Sequence, residues 1–421
     1  MSLSTAMFRT RLAHTARRQL PARRWYAAGV SGDVGKDAKA GQPLLPGIDA
    51  LQLQVNKTAS PKQLPAPGAP LLFGRTFTDH MLKIRWTEQA GWEAPQIEPY
   101  GTINLVPSAV VIHYAQSAFE GMKAYKRADG NVTMFRPDMN MKRLNNSAAR
   151  LALPTFDGEQ VIELLKQLIR LDKEWVPEAP GHSLYIRPTL IGTNGTLGVQ
   201  PPTEALLFVI CSPVGPYYPT GFKPVPLYGT TEYIRAAPGG TGAYKLAVNY
   251  APGVVAQKAA ASAGYQQNLW LHGPEHYITE VGTMNAFIVF HDADGGLELV
   301  TPPLDGMILP GVTRDSVLAL ARGHAAGARI EGMPVGKKVR VSERPVTMEE
   351  VSEASTSGRL VELFGTGTAA VITPVEKIGY QGSDVLIPTG PGGMGPISGP
   401  IWKHLTGIQN GLIEHEWNVV V

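Results

Sequence analysis

Hydrophobic positions along the chain switch between two periods, and the switches predict its elements. In Val161–Leu171, apolar residues stand at Val161, Leu164, Leu165, Leu168, Ile169 and Leu171, the spacing of one helix face. Asp157 is placed to cap that helix, with Gln160 in the capping-box position. Strand character is read in "TINLVPSAVVIHYAQSAFEGMKAY", "NVTMFRP", "SLYIRPTLIG" and "EALLFVICSP", and later around "YIRAAP" and in "QNLWLHG", "HYITEVG" and "NAFIVF". Pro252 opens a helix that Gly264 ends. "GVTRDSVLALARG" reads as a helix starting at a glycine turn, and "GPIWKHLTGIQNGLI" as a final helix. Strands and helices mix without a regular βαβ repeat, so the fold class expected is α+β.

Folded structure is expected from about Phe73. Residues 27–70, rich in Gly, Pro and Ala, read as an extended arm lying on the domain that follows. The prolines of "PVGPYYPTGFKPVP" mark a linker at 215–225, separating a small α/β domain (71–214) from a larger one (226–421).

Composition narrows the function classes. The 421 residues are 43% hydrophobic and 17% charged, with no apolar run long enough for a spanning helix. A single cysteine, Cys211, excludes an internal disulfide and any multi-cysteine zinc site, and the ten histidines show no ligand spacing; no metal is expected. The formal charge of +3 is concentrated at the start, where six arginines (Arg9, Arg11, Arg17, Arg18, Arg23, Arg24) precede the first acid, Asp33. Phe8, Leu12, Ala16 and Leu20 could form one face of a basic amphipathic helix. Residues 1–26 therefore look like a mitochondrial targeting peptide, cut after Tyr26, and the matrix is the expected compartment. Without it, 32 basic residues face 35 acidic ones, so no basic excess remains for nucleic-acid binding.

Chemistry concentrates in the second half. Lys245 stands between a glycine turn and an apolar run in "GGTGAYKLAVNY". Glu280 ends an apolar strand, and a buried acid there needs a partner. "ILPGVTRDSV" and "FGTGTAAV" supply two turns whose free N–H groups can hold a phosphate. A lysine to bond the cofactor, an acid for its ring nitrogen and two anion-binding turns are what pyridoxal 5′-phosphate needs.

From about Phe73 to Val421 the chain resembles the branched-chain amino acid aminotransferases. The resemblance rests on "FEGMKAY", "NMKRL", "LYIRPTLIGT", "LGVQPP", "GGTGAYKLAVNYAP", "LVTPPLDGMILPGVTR", "TEVGTMN" and "FGTGTA". It implies the two-domain, fold-type IV (D-amino-acid aminotransferase-like) architecture. The activity implied is amino transfer from L-leucine, L-isoleucine or L-valine to 2-oxoglutarate. Lys245 would be the Schiff-base lysine and general base, Tyr250 the partner of the cofactor's phenolic oxygen, and Glu280 that of its ring nitrogen. Arg143, with Val312, Thr313 and Thr368, would hold the phosphate. Tyr114, Phe119, Tyr185 and Tyr217 would wall the substrate site, with Arg187 available to an acidic side chain. Thr283 and the Thr368–Ala369 turn would take the α-carboxylate. Leu197 and Val199 would enter from the other subunit of a homodimer.

The chain departs from its relatives at Ala247 and Val248, where many have glycines, and at Ala370 and Thr373, where mammalian enzymes carry a Cys-x-x-Cys pair. The rival expectations are a D-amino-acid or (R)-amine aminotransferase of the same fold, and a catalytically silent scaffold.

Overall fold

The computed structural model describes residues 45–66, 68–216, 223–334 and 339–421. The stretch 1–26 expected to be a targeting peptide, most of the first half of the expected glycine-rich arm, and Tyr217 lie outside these residues.

A first, largely antiparallel sheet runs in the order Gln54–Val55, Gln96–Pro99, His80–Thr87, Glu204–Val214, Ser183–Gly192, Met122–Lys126, Val132–Phe135 and Asn418–Val420. Two short strands, Gly91–Trp92 and Ser117–Phe119, attach to its side. Helices Pro137–Arg150 and Gly158–Leu171 pack against each other, and the second also against strand His80–Thr87. The apolar face of Gly158–Leu171 is buried as its spacing predicts. Asp157 caps that helix by accepting from Glu159 N. Gln160 does not close a capping box; its Oε1 accepts from Ala50 N at 2.8 Å and anchors the preceding segment.

Ordered structure thus begins well before Phe73. Ile48 is buried in the first core, and Gln54–Val55 pairs in parallel with Gln96–Pro99. The sheet edge supplies the hydrogen bonds that hold this segment. Thr58 N also donates to His80 Nε2 at 3.0 Å, while His80 Nδ1 bonds Asp172 at 2.6 Å.

The second sheet is ordered Tyr277–Val281, Gln267–His272, Val225–Thr230, Val371–Tyr380, Leu360–Gly367, Met284–His291, Leu297–Thr301 and Val339–Glu343, with Ser383–Leu386 on Val371–Tyr380. Tyr277–Val281 also pairs with Met284–His291, so six of these strands close into a ring. "AFIVF" is buried on both faces, with Phe287 and Val289 in one cluster and Ala286, Ile288 and Phe290 in another.

Two parallel crossovers sit inside this sheet. Helix Gly253–Ser262 links Val225–Thr230 to Gln267–His272, and helix Val312–Ala325 links Leu297–Thr301 to Val339–Glu343. Such connections place helix N-termini near the ends of the preceding strands, where ligands bind in open α/β sheets. The chain is a mixed α and β fold, as expected.

Three local expectations are corrected. "VVIHY" forms a short helix, Val110–Tyr114, ended by left-handed Ala115 (φ 51°), not a strand. Tyr233–Ala237 has no regular strand; pairing stops at Thr230. The strand near the end, Asn418–Val420, belongs to the first sheet although residues from 226 onward otherwise build the second.

Candidate active site

Lys245 comes from the turn before the 3₁₀ segment Ala247–Asn249. Its backbone is fastened on both sides: N donates to Ser147 Oγ at 2.9 Å, and O accepts from Phe119 N at 3.1 Å. Its Nζ donates to the Tyr250 hydroxyl at 3.1 Å and lies 4.8 Å from the Phe119 ring centroid. Desolvation and the neighbouring Arg143 and Arg187 charges lower its pKa to about 8, against the opposite pull of Glu120 and Tyr185. Burial, with Glu280 adding to it, pushes the Tyr250 hydroxyl up to about 12.

Glu280 is buried, and its partners are now visible. Arg235 Nε meets Oε2 at 2.5 Å, and Leu309 N donates to Oε1 at 2.8 Å. Burial raises the Glu280 pKa to about 6, with Arg235 and the Leu309 N–H opposing that rise. Arg235 was not legible as a site residue: it lies in irregular chain, and nothing in its neighbours announces a carboxylate.

Residues 309–311 are the hub of the turn expected to bind an anion. Leu309 N serves Glu280, Leu309 O accepts from Asn285 Nδ2 at 2.8 Å, and Pro310 O accepts from Arg143 Nη1 at 2.9 Å. Gly311 then caps helix Val312–Ala325 without a side-chain bond, so Val312 and Thr313 begin it with N–H groups that have no partner within the helix. A Cβ at Gly311 would lie 2.1 Å from Asn285 Oδ1, so only glycine fits. Thr368 joins from the second turn, its Oγ1 donating to Gly121 O at 3.3 Å, and Ala369 O accepts from Lys123 Nζ at 2.8 Å.

Arg143 is not free in the way the sequence suggests. Its Nε and Nη2 make 2.7 and 2.8 Å bonds to the two oxygens of Glu120, which is fully buried. Glu120 was missed because, in "FEGMKAY", it looks like any acid at a turn.

The residues expected to wall the substrate are aromatic and cationic. Arg187 lies 5.0 Å from the Phe119 ring centroid and 5.3 Å from that of Tyr185, and donates to the Tyr185 hydroxyl at 3.0 Å. Its buried Nε has no protein partner among the described residues. Phe73, which sequence reasoning treated only as a starting point, packs edge-on against Tyr185 at 4.8 Å. Thr283 lines a narrow cavity with Arg235, Tyr250 and Trp270. Tyr114, Leu197 and Val199 belong to a separate group: the Tyr114 hydroxyl donates to Leu197 O, and the Leu197 and Val199 side chains stand exposed.

A lysine with a lowered pKa, a tyrosine, a buried carboxylate and an anion-ready helix start meet in one place, and the comparisons agree on its family. Residues 117–378 match amino-transferase class IV. The cytosolic branched-chain-amino-acid aminotransferase of Saccharomyces cerevisiae is 54% identical over 89% of this chain and 98% of its own length. The chain belongs to the branched-chain-amino-acid aminotransferases. The mitochondrial enzyme of Bos taurus is 48% identical over 88% of this chain and 92% of its own. The Escherichia coli branched-chain amino acid aminotransferase has a similar structure (TM-score 0.62, 25% identity, 79% of this chain and 97% of that one). So does the T.th. enzyme solved with pyridoxamine 5′-phosphate (TM-score 0.61, 25% identity, 80% and 97%). This transaminase therefore has the fold-type IV architecture implied by its motifs.

Proposed function

We propose that this transaminase moves amino groups reversibly from L-leucine, L-isoleucine or L-valine to 2-oxoglutarate, using pyridoxal 5′-phosphate held at Lys245. The observation that carries the reading is the Lys245–Tyr250 pair, with the charges of Glu280, Arg143 and Arg187 close enough to act on it. The donor set suits that cofactor. Helix Val312–Ala325 opens beside Arg143 with N–H groups that have no partner within the helix, which suits a phosphate. Among the described residues Glu280 Oε2 makes one bond, to Arg235, and so keeps a lone pair for a protonated ring nitrogen.

When bound, the cofactor supplies an aldehyde for the amino group and a ring that takes up the electrons of the broken Cα–H bond. The chain's own residues do the rest. Lys245 Nζ, with its pKa near 8, is in part unprotonated near neutrality and serves as the base that lifts and returns the Cα proton. Tyr250 donates to the cofactor's phenolic oxygen, and Glu280, ionised above about pH 6, holds the ring nitrogen in its protonated form. Phe119 and Tyr185 give an aliphatic side chain apolar walls, while Arg187, with its unpaired Nε, gives the second carboxylate of 2-oxoglutarate a cation. Thr283 and the Thr368–Ala369 turn take the α-carboxylate that both substrates share.

The working unit we infer is a homodimer. Val106, Ile112 (in the short helix Val110–Tyr114), Leu197 and Val199 are all exposed in two segments tied together by Thr196 N to Ser108 O and Gln116 Nε2 to Gln200 O. Four ordered aliphatics in one region suit a subunit interface. The compartment inferred is the mitochondrial matrix, from the arginine-rich start. Import of the full chain into isolated mitochondria, followed by N-terminal sequencing, tests that assignment and the cut after Tyr26.

The test of the reaction is spectroscopic. Leucine should bleach the visible band of the lysine-bound cofactor and 2-oxoglutarate restore it, while Lys245→Ala should fold, lack the band and lose turnover. A response confined to D-alanine or an (R)-amine would sink the branched-chain assignment. No band with added pyridoxal 5′-phosphate would sink the enzyme reading of the site.

A further inference from the structure

Glu120 lies in the break between strands Ser117–Phe119 and Met122–Lys126, and no part of it reaches solvent. A carboxylate in that position is costly unless every lone pair is used well. Here Oε1 accepts from Arg143 Nε at 2.7 Å, while Oε2 accepts from Arg143 Nη2 at 2.8 Å, Asn140 Nδ2 at 2.7 Å and Gly121 N at 3.1 Å. Arg143 Nη1 is turned to Pro310 O at 2.9 Å. Of the five N–H groups a guanidinium carries, three are committed among the described residues, leaving two for an outside anion.

We propose that Glu120 is a positioning residue of the active site, clamping Arg143 flat so that its two remaining N–H groups are presented in one fixed orientation to the cofactor's phosphate. The proposal rests on the reading that Arg143 holds that phosphate. The bidentate pair is geometrically demanding, and a swinging arginine would lose rotamer freedom on each binding event. The clamp has an electrostatic cost, since the paired guanidinium offers a dianion less net charge. In return it leaves Lys245 facing a near-neutral pair. The charged and titratable groups around Lys245 are Arg143 and Arg187, which favour loss of its proton, and Glu120 and Tyr185, which oppose it; Tyr250 and Glu280 complete the set. Glu120 therefore acts on both the anion and the lysine, although it touches neither.

Geometry and charge are separable by two substitutions in the full-length chain. Glu120→Asp keeps the charge but is one methylene too short to span both bonds. The ratio of the dissociation constants of pyridoxal and pyridoxal 5′-phosphate measures what the phosphate contributes. In Glu120→Asp that ratio should fall about tenfold, the size of one charge-assisted hydrogen bond, while pyridoxal itself binds as before. Glu120→Gln removes the charge, so the pH midpoint for trapping pyridoxal on Lys245 with borohydride should drop below the wild-type value; in Glu120→Asp it should stay. An anchor that only fastens the helix would weaken both ligands alike in Glu120→Asp, and that result overturns the positioning role; a midpoint unmoved in Glu120→Gln overturns the effect on Lys245.

If either variant fails to fold, the pair Glu120→Leu with Arg143→Leu removes both charges together. Its phosphate contribution should then equal that of Arg143→Leu alone, and a further loss would refute the clamp. Wild-type protein that binds no pyridoxal 5′-phosphate at Lys245 would refute the cofactor reading first, and this proposal with it.

Discussion

A buried lysine close to other cations holds its proton weakly, and this transaminase has a second lysine with a lowered pKa, for a simpler reason. Lys123 is buried, its pKa is lowered to about 8 by desolvation, and its Nζ bonds Ala369 O at 2.8 Å. In the unfolded chain a lysine titrates near 10.5, so between about pH 8 and 10.5 the unfolded state binds more protons than the folded one. Stability from this group is therefore suppressed below pH 8 and recovered as the pH climbs toward 10.5. Lys123→Met should flatten the rise of unfolding free energy over that window, checked by urea titration at several pH values; an unchanged slope would refute the buried-ammonium account. At this scale the sequence was informative where a residue's own neighbours carry the signal. Lys245, Tyr250 and Glu280 stand out that way, and the structure brings them together. Arg235 and Glu120 do not, because what makes them site residues is a partner 45 or 23 positions away across the fold.

Among the elements, the turn of residues 309–311 bears the most on the site, since three backbone groups in it serve Glu280, Asn285 and Arg143. Gly311 has an ordinary φ of −70°, so alanine there would be conformationally acceptable. Its difficulty is steric: the new Cβ would meet Asn285 Oδ1, which is itself buried. Gly311→Ala should cost about 1–3 kcal/mol, the usual range for overpacking. It should also weaken cofactor binding more than substrate binding, as read by thermal unfolding together with cofactor titration. Loss of stability without loss of cofactor affinity would show that the turn is structural only. Element by element, the pattern was readable where burial is one-sided. Gly158–Leu171 follows from its apolar face, and "NAFIVF" from an apolar run bounded by turns. Pro137–Arg150 was not read as a helix because its sequence, "PDMNMKRLNNSAAR", is mostly polar; part of its buried face consists of Asn140, Arg143 and Ser147, which serve the site. "VVIHY" misled in the other direction, since its β-branched residues suggest a strand while its backbone makes one helical turn.

At the scale of the whole molecule, the second sheet carries Glu280, the Thr368 turn and, on a strand beside its ring of six, the approach to helix Val312–Ala325, while the first sheet carries Phe119, Glu120, Tyr185 and Arg187. Neither sheet holds a complete site. The parallel crossovers and the closed ring were not readable, because they depend on pairings between strands far apart in sequence. Assembly is the matching question one level higher. Val199→Asp places a charge on a residue that is 78% exposed in the single chain and costs that chain little. The expected outcome is a shift from dimer to monomer by sedimentation, with a parallel fall in turnover. An unchanged dimer with full activity would remove this loop from the interface.

The strand Asn418–Val420 has a consequence in time as well as in space. It pairs with Val132–Phe135, and Arg136 N donates to Trp417 O while the Arg136 guanidinium lies 4.5 Å from the Trp417 ring centroid. On the ribosome, Val132–Phe135 emerges long before its partner. Until Asn418–Val420 follows, the nascent first sheet carries a bare antiparallel edge, the feature by which unfinished chains find one another. Any product that stops just short of residue 418 keeps every residue assigned to catalysis and still lacks this seam. The seam is therefore closed only once residues 418–420 are made, and a truncation before them is expected to cost solubility before chemistry.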